Sequence, residues 1–306
     1  MRRTLHIISQ GLYDDLQAHL SRHSDIPALA KEHGLPEDTL LVIYTQKVTR
    51  DATRRYYRVK GRARKFYHQW RSGKPLMHIS AENRYPPVLT AFIVLLEGEL
   101  TRKEFWRVVA NPDRVGDARL RRELKEIVRA DPIYSPAGNE VQVARGREGE
   151  RLLQEWLDRH GQTYRTEVDL RGKFPKTPDV LLDSPLELDG TKIFWIESKG
   201  NFGDKVEVGR NLKRQLWSYA DMFGPGLVIY WYGVIEGLQG RTDDVFVGVP
   251  ETLDGLVCPR EGASAAATTT AATTPAAATG TAAASATPPY EGAPRPRQPQ
   301  ILPHHR

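Results

Sequence analysis

Cysteine is almost missing from this sequence: Cys258 is the only one in 306 residues. That excludes a disulfide framework and any multi-cysteine zinc cage, and it fits a reducing compartment. Long apolar runs are missing too. The longest, at 89–96 and 226–235, fall well short of the roughly 20 residues that a membrane-spanning helix needs. The start, Met1-Arg-Arg-Thr-Leu-His, leads into no sustained apolar core and no small-residue cleavage site, so no signal peptide is expected. There is no Gly-x-Ser-x-Gly elbow and no Walker loop, and the nine histidines include no His-Glu-x-x-His pair. The glycine turns at 146–149 and 224–226 are not dinucleotide fingerprints. The expectation is a soluble intracellular protein with no membrane partner.

What is present is unevenly distributed charge. The formal net charge is +6, yet 47–74 alone holds eleven Lys/Arg against one acid, Asp51. A focused basic patch on a near-neutral body suggests an anionic polymer as partner. Arg54, Arg55, Arg58, Arg62 and Lys65 recur at three- and four-residue spacing, so on a helix they share one face and are the candidate nucleic-acid contacts. Residues 36–70 read as one long helix interrupted only by Gly61. Tyr56, Tyr57, Phe66, Tyr67 and Trp70 are interleaved, and such aromatics either stack on bases or pack into the core.

Three regions are expected. Residues 1–136 read as an all-α domain, 137–258 as an α/β domain and 259–306 as a disordered tail. The tail follows from composition: 263–287 contains 13 Ala and 8 Thr and no charge, so it has no apolar face to bury. Within the first region, 28–43 and 78–93 look alike at a spacing of 50, with Glu32 matching Glu82 and Pro36 matching Pro86. In each, a short helix ends near Gly34 or Asn83 and a proline opens the next, which is a helix-turn-helix outline. Two amphipathic helices follow at 101–111 and 114–130, and 131–138 reads as a linker.

The second region changes period. A helix is expected over 148–159, a short buried strand at 179–182, and a hairpin across Asp189-Gly190 from Leu186 to Lys199. A helix at 211–223, a central strand at 227–235 and a last strand at 245–249 complete a mixed-sheet α/β domain. Alternation along the strand puts Glu197 and Lys199 on one face, and Asp179 on the neighbouring strand converges with them. Phe194-Trp-Ile196 is a buried-strand sequence, so charges at its end are costly unless paired or metal-bound. Two carboxylates around a common point suit a hard cation such as Mg2+ or Mn2+. A nearby lysine can orient water or offset charge on a phosphate. The pattern suggests metal-assisted phosphodiester hydrolysis.

The order of motifs resembles the PD-(D/E)XK nuclease superfamily, the fold of restriction endonucleases and Holliday-junction resolvases. It runs from Glu150 on a helix through Pro178-Asp179 and Glu197-x-Lys199 to Gln215-x-x-x-Tyr219. Lys176-Thr-Pro-Asp179, Trp195-Ile-Glu-Ser-Lys199, Phe202-Gly-Asp204 and 223–233 resemble, more closely, the codanin-interacting nuclease family, also named for its Thr-Pro-Asp motif. The resemblance covers 140–250. It implies a Mg2+-dependent endonuclease, nuclear and cytoplasmic, with codanin as a protein partner. Carried over, Asp179, Glu197 and the Ser198 carbonyl would ligate the metal and Lys199 would act on the attacking water. Glu150 would hold the metal's water shell, with Glu148 as its rival, and Gln215 would support the site with Tyr219 behind it. Asp204 would be an acid behind the site or a loop cap.

Two further readings compete with an endonuclease acting on structured or branched DNA. One is a catalytically silent nuclease-fold adaptor that binds nucleic acid and a codanin-like partner, motivated by the large helical half and by Tyr230-Trp-Tyr232. The other is an RNA-processing enzyme, since a basic helix with aromatics suits single-stranded RNA as well.

Overall fold

Local signals in the sequence set where most helices begin. In the computed structural model, which describes residues 6–98 and 100–257, β1 (Ile7–Ile8) leads into α1 (Gln10–His19), and Ser9 accepts the Leu12 amide at 3.2 Å as its cap. Then come α2 (Ile26–His33), α3 (Glu37–Lys60), α4 (Ala63–Arg71), α5 (Leu76–Asn83) and α6 (Pro87–Leu95). α7 (Arg102–Ala110) starts at a Thr101–Glu104 capping box, and α8 (Ala118–Ala130) at Asp117. The tail and Cys258 lie outside the described residues.

The 50-residue repeat is carried by hydrogen bonds. Leu35 N bonds Ala30 O at 3.1 Å, and Tyr85 N bonds Ser80 O at 3.1 Å. Gly34 and Arg84, at equivalent places, both take the left-handed conformation that ends a helix, with φ of 65° and 45°. Pro36 and Pro86 then precede α3 and α6. The second copy cannot read a groove with α6, because Val88–Leu95 is buried throughout.

The expected helix over 36–70 is two helices. α3 ends at Gly61, and α4 restarts at Ala63. This lets Tyr56, Phe66 and Trp70 all reach the core, while Tyr57 stays exposed. The expected linker is a buried turn. The Asp131 carboxylate accepts amides of Val88, Ile133 and Tyr134 at 2.8–3.0 Å. Directly after it α9 (Pro136–Arg159) begins, twelve residues before the expected helix, capped by Ser135 and opened by a proline. Glycines at 138, 146 and 149 hide its period.

The six-stranded sheet has the order β2-β3-β4-β5-β8-β7. β2 (Tyr164–Thr166) precedes the short α10 (Glu167–Leu170), and both come before β3 (Val180–Leu188) and β4 (Thr191–Lys199). The two expected strand pieces at 179–182 and 186–188 are one strand with a register shift between Leu181 and Leu186. Asp189 and Gly190 both have positive φ, 48° and 75°, as the tight hairpin turn requires. α11 (Lys205–Asn211), a π turn (Leu212–Leu216) and α12 (Trp217–Phe223) carry the chain to β5 (Gly226–Tyr230), which lies parallel to β4. The expected central strand stops at Tyr230, because Gly233, with φ 101°, turns the chain into β6 (Val234–Ile235). β7 (Gly240–Thr242) and β8 (Val245–Gly248) close the sheet. The result is a mixed α/β fold.

α9 covers one face of the sheet, packing Leu153, Trp156 and Leu157 on Ile196, Leu227 and Ile229. The α11–α12 stretch covers the other, with Val208, Leu212, Leu216 and Tyr219 against Trp195, Val228 and Tyr230. The helical core also takes in residues from the sheet half: Phe202 and Ile235 pack with Ile8, Tyr13, Leu16 and Leu40. β1 pairs in parallel with β6, through Ile7↔Val234 and Ile8↔Ile235.

Candidate active site

Asp179 stands one residue before β3, in the register that sets Val180 opposite Ile196, so it lies across from Glu197. The two carboxylates interlock through the backbone. Asp179 N donates to Glu197 Oε2 at 3.2 Å, and Ser198 N donates to Asp179 Oδ2 at 2.9 Å. Glu197 is buried and points to the α11–α12 side, as does Lys199 two residues on. Lys199 Nζ donates to Glu197 Oε1 at 2.6 Å and to Gln215 Oε1 at 3.0 Å. Gln215 completes the triangle, since its Nε2 reaches Glu197 Oε1 at 2.8 Å. Gln215 comes from the π turn, a helical irregularity that often marks functional positions.

Behind Gln215, Tyr219 fixes both ends of the arrangement. Gln215 Nε2 and the Tyr219 hydroxyl lie 2.6 Å apart, and that hydroxyl donates to Thr177 O at 2.6 Å. Lys176 ties the same segment to the helix through Arg214 O at 2.6 Å. Trp231 donates to Ser198 Oγ at 2.8 Å. That contact was not expected, because Trp231 reads as part of a buried strand; it follows β5 instead, and three consecutive aromatics at 230–232 give no signal of it. Gly149 brings α9 flush to this point. A Cβ there would lie 2.5 Å from Trp231 and 2.8 Å from Ser198 Oγ.

Two carboxylates thus share one ammonium, which of the two bonds Glu197. Burial, then the charge of Glu197, pushes the Asp179 carboxyl well above the ordinary carboxylate range, with Lys199 pulling the other way. Asp179 Oδ1 accepts no hydrogen bond among the described residues. An acid pair with excess negative charge and an open oxygen has the chemistry of a cation site.

The other expected residues are distributed as follows. Glu150 is exposed on α9, one residue past Gly149. Glu148 is exposed and paired with Arg151. Asp204 caps α11, accepting the amides of Val206 and Glu207 at 3.0 and 2.9 Å. It also accepts the Tyr13 hydroxyl at 2.6 Å and two bonds from Arg50, so it belongs to the seam with the helical half. Of the basic set, Arg54, Arg58, Arg62 and Lys65 are exposed and Arg55 is half-buried. Arg55 donates to Asp51 at 2.8 Å and to the carbonyls of Asn83 and Arg84, and Arg62 donates to the Asn83 side chain at 2.8 Å. These two close the end of α5. Tyr230 is buried and Trp231 and Tyr232 are half-buried.

The family-model match falls mainly on this half of the chain, while the alignments with relatives extend beyond it. A family model described as "Protein of unknown function TPD sequence-motif" matches residues 116–249. The CDAN1-interacting nuclease 1 of Homo sapiens is 32% identical over 218 residues, covering 66% of this chain and 78% of that protein. The Xenopus laevis protein of the same name is 36% identical over 189 residues, covering 58% of this chain and 62% of its own length. The Gallus gallus protein is 29% identical over 256 residues, 76% of this chain and 89% of that protein. The match thus spans about three-fifths of the Xenopus laevis relative. No solved structure matches.

Proposed function

The chain belongs to the CDAN1-interacting nuclease family, and from that premise we propose that it is a divalent-metal-dependent endonuclease for structured or branched DNA. The observation that carries the reading is the under-neutralised pair Asp179 and Glu197, with Glu197 locked to Lys199 and Gln215.

The donor set fits Mg2+ or Mn2+. Among the described residues no group of three or more His, Cys, Asp or Glu is arranged for a metal. Two carboxylates, with water, the Ser198 carbonyl and substrate phosphate as further ligands, are the set that Mg2+ prefers. When bound, the cation would offset charge on the phosphate and lower the pKa of a bound water. Lys199 would orient the attacking water and balance charge as it builds on the phosphoryl oxygens. Gln215 holds that ammonium with its carbonyl and holds Glu197 with its amide, so neither side chain can rotate away alone. Glu150 would hold the water shell from α9. Arg54, Arg58 and Lys65 would contact the phosphate backbone, with DNA preferred over RNA.

A codanin-like protein partner is part of the proposal, because the relatives carry that interaction in their name. The proposed location is nucleus and cytoplasm. The adaptor reading is favoured by one observation: among the described residues only two carboxylates converge, which leaves most of a metal's ligands to solvent and substrate.

The test incubates the full chain, wild type and Asp179→Asn, with labelled duplex, flap and four-way-junction DNA and with RNA, in Mg2+, Mn2+ or EDTA. Metal-dependent cutting that the variant loses supports the nuclease. Binding by both proteins with cutting by neither overturns it in favour of the adaptor.

A further inference from the structure

A cavity of about 310 Å³ opens between α1, α3 and the start of α11. Four cations line it, Lys47, Arg50 and Arg54 from α3 and Lys205 from α11, and a single acid, Asp204. The acid is spent. Both its oxygens are engaged by Arg50, Tyr13 and two backbone amides. Arg54 and Lys205 are exposed and make no hydrogen bond or ion pair among the described residues. Lys47 bonds only neutral groups, the carbonyls of Gln17 and Leu20, which leaves one of its three N–H donors unused. Burial pulls its pKa down, and a facing anion would reverse that.

The position matters as much as the charge. Asp204 follows Lys199 by five residues, so even a fully extended chain separates them by no more than about 17 Å. Phosphates of one duplex strand advance about 3.4 Å each along the axis, so a strand engaged at Lys199 reaches the cavity within about five nucleotides. Lys199 ends β4 and Asp204 follows it in the chain, at the carboxyl end where open α/β sheets bind ligands.

We propose that this cavity is a phosphate seat, which takes the backbone of the nucleic acid a few nucleotides from the bond being cut. The inference rests on the nuclease reading for its substrate. Arg54 and Lys205 are its free arms. Arg50, anchored to Asp204, is its floor and fixes the distance from the seat to the catalytic strand.

Binding in EDTA, where no metal-dependent cutting occurs, separates this proposal from the nuclease reading. Fluorescence anisotropy with a labelled duplex would be read between 50 and 200 mM salt for wild type, Arg54→Ala/Lys205→Ala and Lys103→Ala, an exposed cation on α7. The double variant should weaken binding about tenfold and reduce the salt slope by about one to two, since each lost phosphate contact removes about 0.9. Lys103→Ala should do neither. An unchanged slope in the double variant, or an equal loss in Lys103→Ala, overturns the seat and leaves the nuclease reading intact. So does a wild type stabilised by inorganic phosphate, through Arg54 and Lys205, whose DNA binding ignores both residues. A wild type that binds duplex through the seat and never cuts in Mg2+ or Mn2+ overturns the nuclease reading alone.

Discussion

Two acid pairs sit at the same end of β4, and their surroundings differ in one respect. Asp179 and Glu197 share a single lysine. Asp204 and Glu207, both buried, are met by Arg50 and Arg210, by the Tyr13 hydroxyl and by the Asn201 amide. The consequence appears in ionisation. Burial raises Asp179, and the charge of Glu197 adds to it. Burial also pushes Asp204 upward, but hydrogen bonds from Arg50 and Tyr13 outweigh it and hold that carboxyl low. Buried carboxylates with full compensation hold a structure together; the same groups left under-compensated are poised to take up a cation. Identity of side chain does not distinguish a clasp from a site. The local charge balance does.

The comparison can be broken most sharply at Arg50. Arg50→Met should leave Asp204 and Glu207 buried without their main counter-charge and cost about 3–5 kcal/mol, read from urea unfolding. A loss below about 1 kcal/mol would show that the clasp contributes little. Acid adds a sign test. A carboxyl with a depressed folded pKa contributes stability that is complete above its unfolded value of about 3.9 and lost as pH falls through the folded value. In Arg50→Met the folded value rises, so acid unfolding should begin at higher pH than in wild type.

Gln215→Leu tests the other pair. It frees the ammonium of Lys199 and removes one donor from Glu197, so cutting should fall about 10–100-fold, as is usual for groups that orient a metal site. Stability in EDTA should change little, and a variant that cuts at the wild-type rate would remove Gln215 from the proposed machinery.

The smallest effect has the opposite sign. Asp179→Asn removes a charge that the metal-free protein accommodates poorly, while an amide oxygen can still accept the Ser198 N–H. Its melting temperature in EDTA should rise by a few degrees, since about 1 kcal/mol shifts a chain of this size by roughly 2–4 °C. Arg50→Met moves the other way. If both substitutions destabilise alike, the distinction between clasp and site fails.

Much of this was legible in the sequence where neighbours along the chain decide the outcome. Asp189-Gly190 specified its hairpin, and alternation brought Glu197 and Lys199 to one face. Gln215 and Tyr219, spaced one helical turn apart, lie together as that spacing requires. Other features were hidden because the partner is remote or the local signal misleads. The start of α9 was masked by three glycines, and Gly149 is there for close approach to Trp231 and Ser198, not for helix propensity. The break after Gly61 serves packing of aromatics from two helices, which no single period reveals. Arg55 and Arg62 share a spacing with Arg54, Arg58 and Lys65 but bond the end of α5, in another element. Asp204 meets Arg50 across 154 residues of chain, and only the folded chain shows that the acid serves the seam.

The pairing of β1 with β6 has a consequence for how the chain is made. Ile7 and Ile8 leave the ribosome long before their partners Val234 and Ile235, which lie more than two hundred residues further along the chain. At about 5–20 residues per second, the wait is on the order of tens of seconds. For most of it Leu16, Leu20 and Leu40 lack Phe202, and for all of it they lack Ile235, which together complete their cluster. The early helices are local and quick to form, but their core closes only with a contact of very high sequence separation. The nascent chain therefore carries an unfinished apolar surface through most of its own translation, and chaperone occupancy of the N-terminal helices should end when residue 235 emerges.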